Sequence, residues 1–137
     1  RNTDVNAFVG MLDLKRVKKY TKSRKELYNL FKSKLDSSKF YLPQELEEVG
    51  NVPFCLPIIC KDNKKNIALR ICKDLGIEHR PIISGFLGYQ TCYKEFFHDE
   101  EDYVNSIYLH HNGFYVGLFH TLSKTKIEKL VIELNNI

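Results

Sequence analysis

The segment Ile77–Gly85 holds the residues whose types and spacing best suit chemistry, in the order IEHRPIISG. It places His79 and Arg80 in a predicted strand that runs into a turn at Ser84 and Gly85. Charged groups are seldom buried unless they are paired, and an arginine beside a serine–glycine turn suits a phosphate or a carboxylate. The pattern is equally typical of an edge-strand arginine with its guanidinium in water. The residues alone leave both interpretations open.

Motifs of the common enzyme classes are absent from the sequence. There is no P-loop, no glycine-rich dinucleotide turn, no G-x-S-x-G and no H-E-x-x-H. His110 and His111 are adjacent, so on a helix their side chains diverge by about 100° and do not clasp one metal ion. A zinc site from scattered histidines such as His98 and His120 is disfavoured. We therefore expect no metal site.

Four cysteines, at positions 55, 60, 72 and 92, have gaps that fit no zinc or redox motif. All four lie in apolar stretches of sequence, where a reduced cysteine acts as a small core residue. This use of cysteine is typical of a reducing compartment. We expect a cytoplasmic protein.

Length and composition indicate one globular domain without a membrane span. The chain has 137 residues, which suits a single domain, and no apolar run approaches the ~20 residues that a spanning helix needs. The net charge is +4, with basic residues concentrated between Lys15 and Lys34. Such a stretch is more often a solvated helix face than a nucleic-acid site, and no aromatic residues interleave for base stacking. The sequence begins at Arg1 and its one methionine is Met11, which we interpret as a fragment or a processed product.

Apolar residues near the beginning of the chain recur at helical spacing and predict one long helix from about residue 4 to residue 35. Thr3 and Asp4 are good capping residues. The helix would be ~48 Å long, whereas a compact chain of this size is roughly 37 Å across. Its apolar first turns, Val5 to Leu12, therefore need a neighbouring domain or subunit to cover them.

The rest of the chain alternates short strands and helices. Predicted strands are Phe54–Lys61, Ile77–Ile83 and Phe114–Leu118, joined by a loop at 36–51 and an irregular aromatic segment at 84–102. Pro53 and Pro57 suggest an edge strand or a bulge, and Pro81 limits pairing. Helices are predicted from Asn63 to a left-handed cap at Gly76, over Tyr103–His111, and after a cap at Ser123. This order indicates an α+β fold, a sheet of about three strands with helices on one face.

Residues 1–16, RNTDVNAFVGMLDLKR, resemble a motif of the DegT/StrS-type nucleotide-sugar aminotransferases. The matching positions are Arg1, Thr3, Asp4, Ala7 and Gly10, whereas Asp13 stands where the family has glutamine. Ser23–Lys25 resembles the basic element that follows. Gly76–Gly85 is similar to the Gly-Ile-x-x-Arg-Pro-x-x-x-Gly segment of one branch, and Asn112–Leu118 to its Asn-Gly-Phe-x-x-Gly segment. Leu122–Ser123 and the helix after it match the usual ending. The resemblance covers nearly the whole chain in family order.

This resemblance implies a fold-type-I enzyme that uses pyridoxal phosphate. Members transfer an amino group from an amino acid, usually glutamate, to a keto group of a nucleotide-linked sugar. The 3-dehydrases of one branch instead remove a hydroxyl with pyridoxamine phosphate. The segment around Arg80 resembles that branch, which also holds aminotransferases, and departs from the His-Tyr-Pro segment of plain aminotransferases. Both reactions therefore stay open.

The resemblance also implies that residues 1–137 are a C-terminal domain, with a connecting helix at 1–36 and a small α/β subdomain at 37–137. In the family the Schiff-base lysine, the aspartate that pairs with the pyridine nitrogen and most phosphate contacts lie upstream of the Arg1 motif. We therefore expect no catalytic residue in this chain and no pyridoxal phosphate bound to it alone.

The resemblance further implies which partners the parent enzyme has and which residues of this chain face its substrate. The parent should be a homodimer that takes a nucleotide sugar and an amino-acid donor, with Arg1 near the cofactor. His79, Arg80, Ser84 and Gly85 should line the substrate side, with Arg80 meeting a phosphate or a carboxylate. A second hypothesis is a free-standing interaction or regulatory domain that reuses the fold. A basic helix that binds nucleic acid ranks last.

Overall fold

The computed structural model describes residues 3–44, 52–97 and 99–137. Its helices are α1 (Asp4–Leu14), α2 (Val17–Lys34), α3 (Lys65–Asp74), α4 (Val104–Asn112) and α5 (Lys124–Asn135). Its strands are β1 (Phe40–Tyr41), β2 (Cys55–Cys60), β3 (His79–Pro81) and β4 (Gly113–Gly117). Three short 3-10 helices, Leu87–Tyr89, Thr91–Phe96 and Glu100–Tyr103, occupy the segment predicted to be irregular.

The predicted single helix over residues 4–35 is wrong in one respect, since it is two helices with a break at Lys15 and Arg16. At the break the backbone of Arg16 has a φ of −102° and a ψ of −12°, which is still right-handed but displaced from regular α-helix values. Its N–H donates to the Asp13 carbonyl at 2.8 Å, which is a tighter turn than the α-helical pattern. The apolar stripe thins at this point, so no packing holds the helix straight. The predicted cap at Thr3 is present, because its hydroxyl accepts from the Asn6 N–H at 3.3 Å.

The sheet has four antiparallel strands in the order β1-β2-β4-β3, rather than about three. The missed strand, β1, lies in the segment predicted as a loop, and two residues are too few to give a periodic signal. Strand β2 is interior, but β1 pairs only with Ile59 and Cys60. Pro57 lies beyond the end of β1, so among the described residues no neighbouring strand on that side has a carbonyl that would need the N–H that proline lacks. Pro81 lies in the edge strand β3, as its chemistry predicts.

One face of the sheet carries the core. Alternate residues of β2 and β4 point to the same side, and those side chains are almost fully buried under α2, α3 and α5. They are Leu56, Ile58, Cys60, Phe114 and Val116. Helix α4 reaches the other face, since the Tyr108 ring meets Tyr41 edge-on at 6.1 Å and its hydroxyl donates to the Cys60 carbonyl at 3.1 Å. The helices are therefore not confined to one face.

Two helix ends form as their capping residues predict. Gly76 has a φ of +60°, and the Ile77 N–H donates to the Cys72 carbonyl at 2.8 Å, which closes α3 with a left-handed cap. The Ser123 hydroxyl accepts from the Lys126 N–H at 3.2 Å and begins α5. These caps set the directions in which the chain leaves α3 and enters α5.

The cysteines are all free, and they divide by burial. Cys60 and Cys72 are fully buried, and burial raises the pKa of each thiol to about 11. Cys55 is half-buried with a pKa raised by burial. Cys92 is exposed, so the expectation of four core cysteines is wrong at this position. Its 3-10 helix Thr91–Phe96 has no buried residue.

Replacing Gly76 by alanine should destabilise the fold by about 1–2 kcal/mol, because a left-handed conformation is costly for a residue with a Cβ. Gly117→Ala is the matched control, since both glycines have open space around them and Gly117 lacks the positive φ. It should change the unfolding free energy by less than about 0.5 kcal/mol. Urea unfolding of both variants measures the difference, and equal effects would contradict the capping role.

Iodoacetamide should label Cys92 first in the native chain, because the thiolate is the reactive form and only an accessible thiol reaches the reagent. Cys60 and Cys72 should react only after unfolding in urea. Mass spectrometry of the labelled peptides gives the order. The Cys92→Ser variant should lose the fast adduct, whereas rapid labelling of Cys60 in the native chain would contradict the packing described.

Candidate functional site

Arg80 lies on the side of the sheet away from the core. It pairs with Tyr115 across β3 and β4, whose side chains point opposite to those of Phe114 and Val116. Its Nε donates to Glu78 Oε1 at 2.9 Å, and the two side chains are 65% and 76% exposed. An ion pair this exposed contributes little to stability. The guanidinium is therefore free to exchange Glu78 for another anion at small cost.

A cavity of about 570 Å³ opens beside Arg80, between the sheet edge and α5. Apolar and aromatic side chains form most of its wall, namely Phe54, Tyr115, Phe119, Leu122, Ile127 and Leu130. Glu78, Arg80 and Lys126 supply the charged groups. The Lys126 Nζ donates to the Gly76 carbonyl at 3.3 Å. A mostly apolar cavity of this size with a few polar groups is typical of a small-molecule site.

His79 lies on the opposite side of β3 from Arg80. Consecutive residues of a strand alternate between faces, and His79 pairs with the buried Val116. Its ring is half-buried and meets Phe114 edge-on, with centroids 6.4 Å apart. The structure therefore does not bring His79 and Arg80 to one point.

Ser84 and Gly85 lie past the end of β3, at a second location. Ser84 is exposed, and its carbonyl accepts from Gln90 Nε2 at 3.3 Å. Gly85 has a φ of +65°, and its backbone lies against the ring of His110. Neither residue lines the cavity beside Arg80. The predicted substrate residues thus occupy separate places, and Arg1 lies outside the described residues.

His110 is a residue of this region that the sequence prediction left without a role. Its Nδ1 accepts a hydrogen bond from the Phe86 N–H at 3.1 Å. Burial lowers its pKa below 6.5, and His111 and Lys65 lower it further by charge. Burial also lowers the pKa of Lys65, whose Nζ donates to the His110 carbonyl at 2.8 Å. Phe86 and His110 are 24 residues apart, so their hydrogen bond leaves no local pattern in the sequence and is seen only in the tertiary structure.

Phe86 anchors an aromatic cluster in the segment singled out for its aromatic content. Its buried ring lies 5.0 Å from Tyr89, 5.3 Å from Phe97 and 5.4 Å from Tyr103, measured between centroids. The contacts with Tyr89 and Phe97 are edge-to-face, and such contacts stabilise beyond their buried area. The segment is thus packed on itself and attached to α4 rather than being a loose linker.

The described residues carry neither a cluster of metal ligands nor a membrane-spanning helix. No group of three or more histidine, cysteine or acidic side chains there is placed to hold a metal ion. Within those same ranges, every helix is too short or too polar to cross a bilayer.

Known structures show a similar arrangement. The chain superposes on E. coli GDP-4-keto-6-deoxy-D-mannose-3-dehydratase with bound hydrated PLP, with a TM-score of 0.77 and 25% identity over 92% of this chain. A Streptococcus pneumoniae protein described as a sugar aminotransferase, Spr1654, gives 0.82 and 19% over 98%. The sugar aminotransferase CalS13 from Micromonospora echinospora gives 0.75 and 12% over 93%. The chain spans about a third of each of these proteins, namely 33%, 34% and 33%.

Sequence comparison points to the same group. None of the curated protein sequences compared with the chain matches it. A family does match, from the first residue almost to the last, over residues 1–135. Together with the shared fold, this match shows that the chain belongs to the DegT/DnrJ/EryC1/StrS aminotransferase family.

Proposed function

We propose that the chain is the C-terminal domain of a pyridoxal-phosphate-dependent enzyme that acts on a nucleotide-linked sugar, by amino transfer or by 3-dehydration. The observation that carries the proposal is the family match over residues 1–135 in a chain that spans only about a third of its structural relatives. One relative at 25% identity is a GDP-4-keto-6-deoxy-D-mannose-3-dehydratase with bound hydrated PLP. The two reactions share a cofactor, and both remain within the proposal.

Helix α1 supports the view that the domain works as part of a larger assembly. None of its residues is buried, although it is rich in apolar side chains. Val5 is 71% exposed, Phe8 59% and Leu14 70%. Val5, Phe8 and Leu12 are spaced by three and four residues and therefore share one face of the helix. An exposed apolar face of this kind marks an interaction site, and covering it gains roughly 25 cal/mol per Å². We place the large domain of the parent, or the partner subunit of a homodimer, against this helix.

We propose that the residues of this chain do not by themselves hold pyridoxal phosphate. Lys126 lines the cavity, but its Nζ is held by the Gly76 carbonyl. Lys65 has the lowered pKa of a reactive amine, but it bonds to the His110 carbonyl and does not line that cavity. Glu78 is the one acid there, and Arg80 binds it. The proposal therefore locates the Schiff-base lysine upstream of residue 1, with Arg1 near the cofactor.

Arg80 is the residue of this domain that we propose to bind substrate. The guanidinium presents a planar set of donors that suits a phosphate or a carboxylate. Its exposed pair with Glu78 opens at small cost, and the adjacent cavity offers aromatic walls for an attached ring. The nucleotide sugar and the amino-acid donor both carry such anions. We also propose that His79, Ser84 and Gly85 lie near the bound substrate. His79 precedes Arg80 in β3, and Ser84 and Gly85 lie in the turn that follows the strand.

The free thiols are consistent with a cytoplasmic protein.

The competing hypothesis is a free-standing interaction domain, and the exposed face of α1 also favours it. The two hypotheses differ in what lies upstream of the Arg1 codon. An open frame that encodes a lysine motif favours the enzyme.

Incubation with pyridoxal phosphate and borohydride should leave the isolated chain without a stoichiometric adduct on any one lysine. The full-length protein should be labelled on one lysine upstream of residue 1. Intact mass and peptide mapping give the site. Lys65→Arg is the matched control, because burial makes Lys65 the best competing nucleophile. Complete labelling of any one lysine within residues 1–137 would refute the proposal, and loss of that label in the Lys65→Arg variant would assign it to Lys65.

Arg80→Ala in the full-length enzyme should raise the KM for the nucleotide sugar by about 10- to 100-fold, as expected for a lost charged hydrogen bond. The kcat should change less, because the contact between Arg80 and the substrate stabilises the bound substrate and the transition state alike. Arg70→Ala removes an equally charged, exposed side chain from α3 and should leave both constants unchanged. Equal effects of the two variants would mean that Arg80 does not contact the substrate.

A further inference from the structure

The ring of His110 holds the turn that begins the aromatic segment. The Phe86 N–H donates to its Nδ1 at 3.1 Å. The backbone of Gly85 lies so close that a Cβ there would meet Nδ1 at 2.2 Å, so a glycine is needed for the approach. The ring is further confined by Tyr89 at 5.2 Å and His111 at 5.0 Å between centroids. The imidazole therefore has one position and one hydrogen-bonding role.

An imidazole nitrogen that accepts a hydrogen bond carries no proton. With Nδ1 as the acceptor, the proton of neutral His110 is on Nε2. A proton on Nδ1 would face the Phe86 N–H donor to donor, and the hydrogen bond would break. Histidine is the side chain that makes this change near neutral pH.

We propose that His110 is a protonation-sensitive latch, which in its neutral form holds the segment from Ser84 to Tyr103 against α4 and on protonation releases the turn at Gly85 and Phe86. The latch does not depend on the proposed function, because it involves only contacts within this chain. It does bear on that function, since Ser84 and Gly85 begin the latched segment and lie on the proposed substrate side.

The groups around His110 set the direction of its pH response. His111 lies next to it on α4, and the Lys65 ammonium approaches from α3. Tyr89 packs against it from the segment, and the acid Glu100 interacts with Tyr89. Burial is the main cause that lowers the pKa of His110, followed by His111 and Lys65.

The direction of the pH response follows from which form of the segment, latched or open, binds a proton on His110 more tightly. The latched form binds a proton on His110 more weakly than the open form, whose histidine has the ordinary pKa of 6.5. The latch is therefore at full strength above pH 6.5. It weakens as the pH falls below that value, until His110 is protonated in the latched form as well.

The test is an NMR titration of the isotope-labelled 137-residue chain. Imidazole nitrogen shifts report the tautomer and titration of His110, and amide exchange reports the protection of the Phe86 N–H. His110→Asn is the decisive variant, because its Oδ1 can accept in the place of Nδ1 and does not titrate. His110→Ala removes the acceptor, and His111→Asn is the matched control on the neighbouring residue.

Wild type should show the Nε2–H tautomer, and protection of the Phe86 amide should fall about three- to tenfold with the midpoint of the His110 titration. His110→Asn should keep the protection at all pH values, and His110→Ala should lack it. His111→Asn should keep the pH-dependent loss of protection, with the midpoint moved to higher pH because His111 lowers the pKa of His110. A Phe86 amide that ignores the titration of His110 would overturn the proposal. So would an Nδ1–H tautomer, or the same pH response in His110→Asn.

Discussion

Burial of one sheet face beneath α2, α3 and α5 is the constraint on which the rest of the structure depends. Strand β4 is central to it, since it pairs with β2 on one side and β3 on the other. Phe114 and Val116 fix β4 from the core side, and their alternation forces Tyr115 and its neighbour Arg80 to the opposite side. The C-terminal end of α5 secures the arrangement, because Asn135 donates to the Lys34 carbonyl at 2.8 Å and accepts from the Asp36 N–H at 2.9 Å.

Electrostatics plays a smaller part in this stability. The basic residues of α2 are mostly exposed, and the ion pairs between α2 and α5 include Lys34–Glu128 at 2.7 Å and Lys124–Glu26 at 3.5 Å. Pairs this exposed are typically worth about 0–1 kcal/mol. The charge concentrated on α2 is therefore a solvated face that also contacts α5, which agrees with the interpretation drawn from the sequence alone.

The sequence predicted those parts of the fold whose causes are local. Strands β2 and β4, helix α5 and the caps at Gly76 and Ser123 follow from apolar periodicity and capping chemistry, which act within a few residues. Strand β1 and the position of α4 depend on contacts between distant segments, so no window of sequence contains them. The break at Arg16 is local and lies where the apolar stripe thins, but the stripe resumes beyond it and predicted one continuous helix. The candidate site, like the fold, has one part that the sequence predicted and one part that it did not. Arg80 stood out by residue type and strand context, whereas the approach of His110 to Gly85 joins residues 25 positions apart and has no local signature.

The two exposed regions of the domain suit different tasks. Strand β3 is an edge, but it has three residues and ends in Pro81, which lacks an N–H. Short strands and prolines protect an edge from pairing with other chains, so this edge is poorly suited to assembly. Its side-chain chemistry is instead turned outward, with Arg80 on the strand and the latched turn at its end. Helix α1 is the opposite case, since it is rich in apolar side chains and has no buried residue. These features favour α1 as the surface for assembly and the β3 edge as the surface for the ligand.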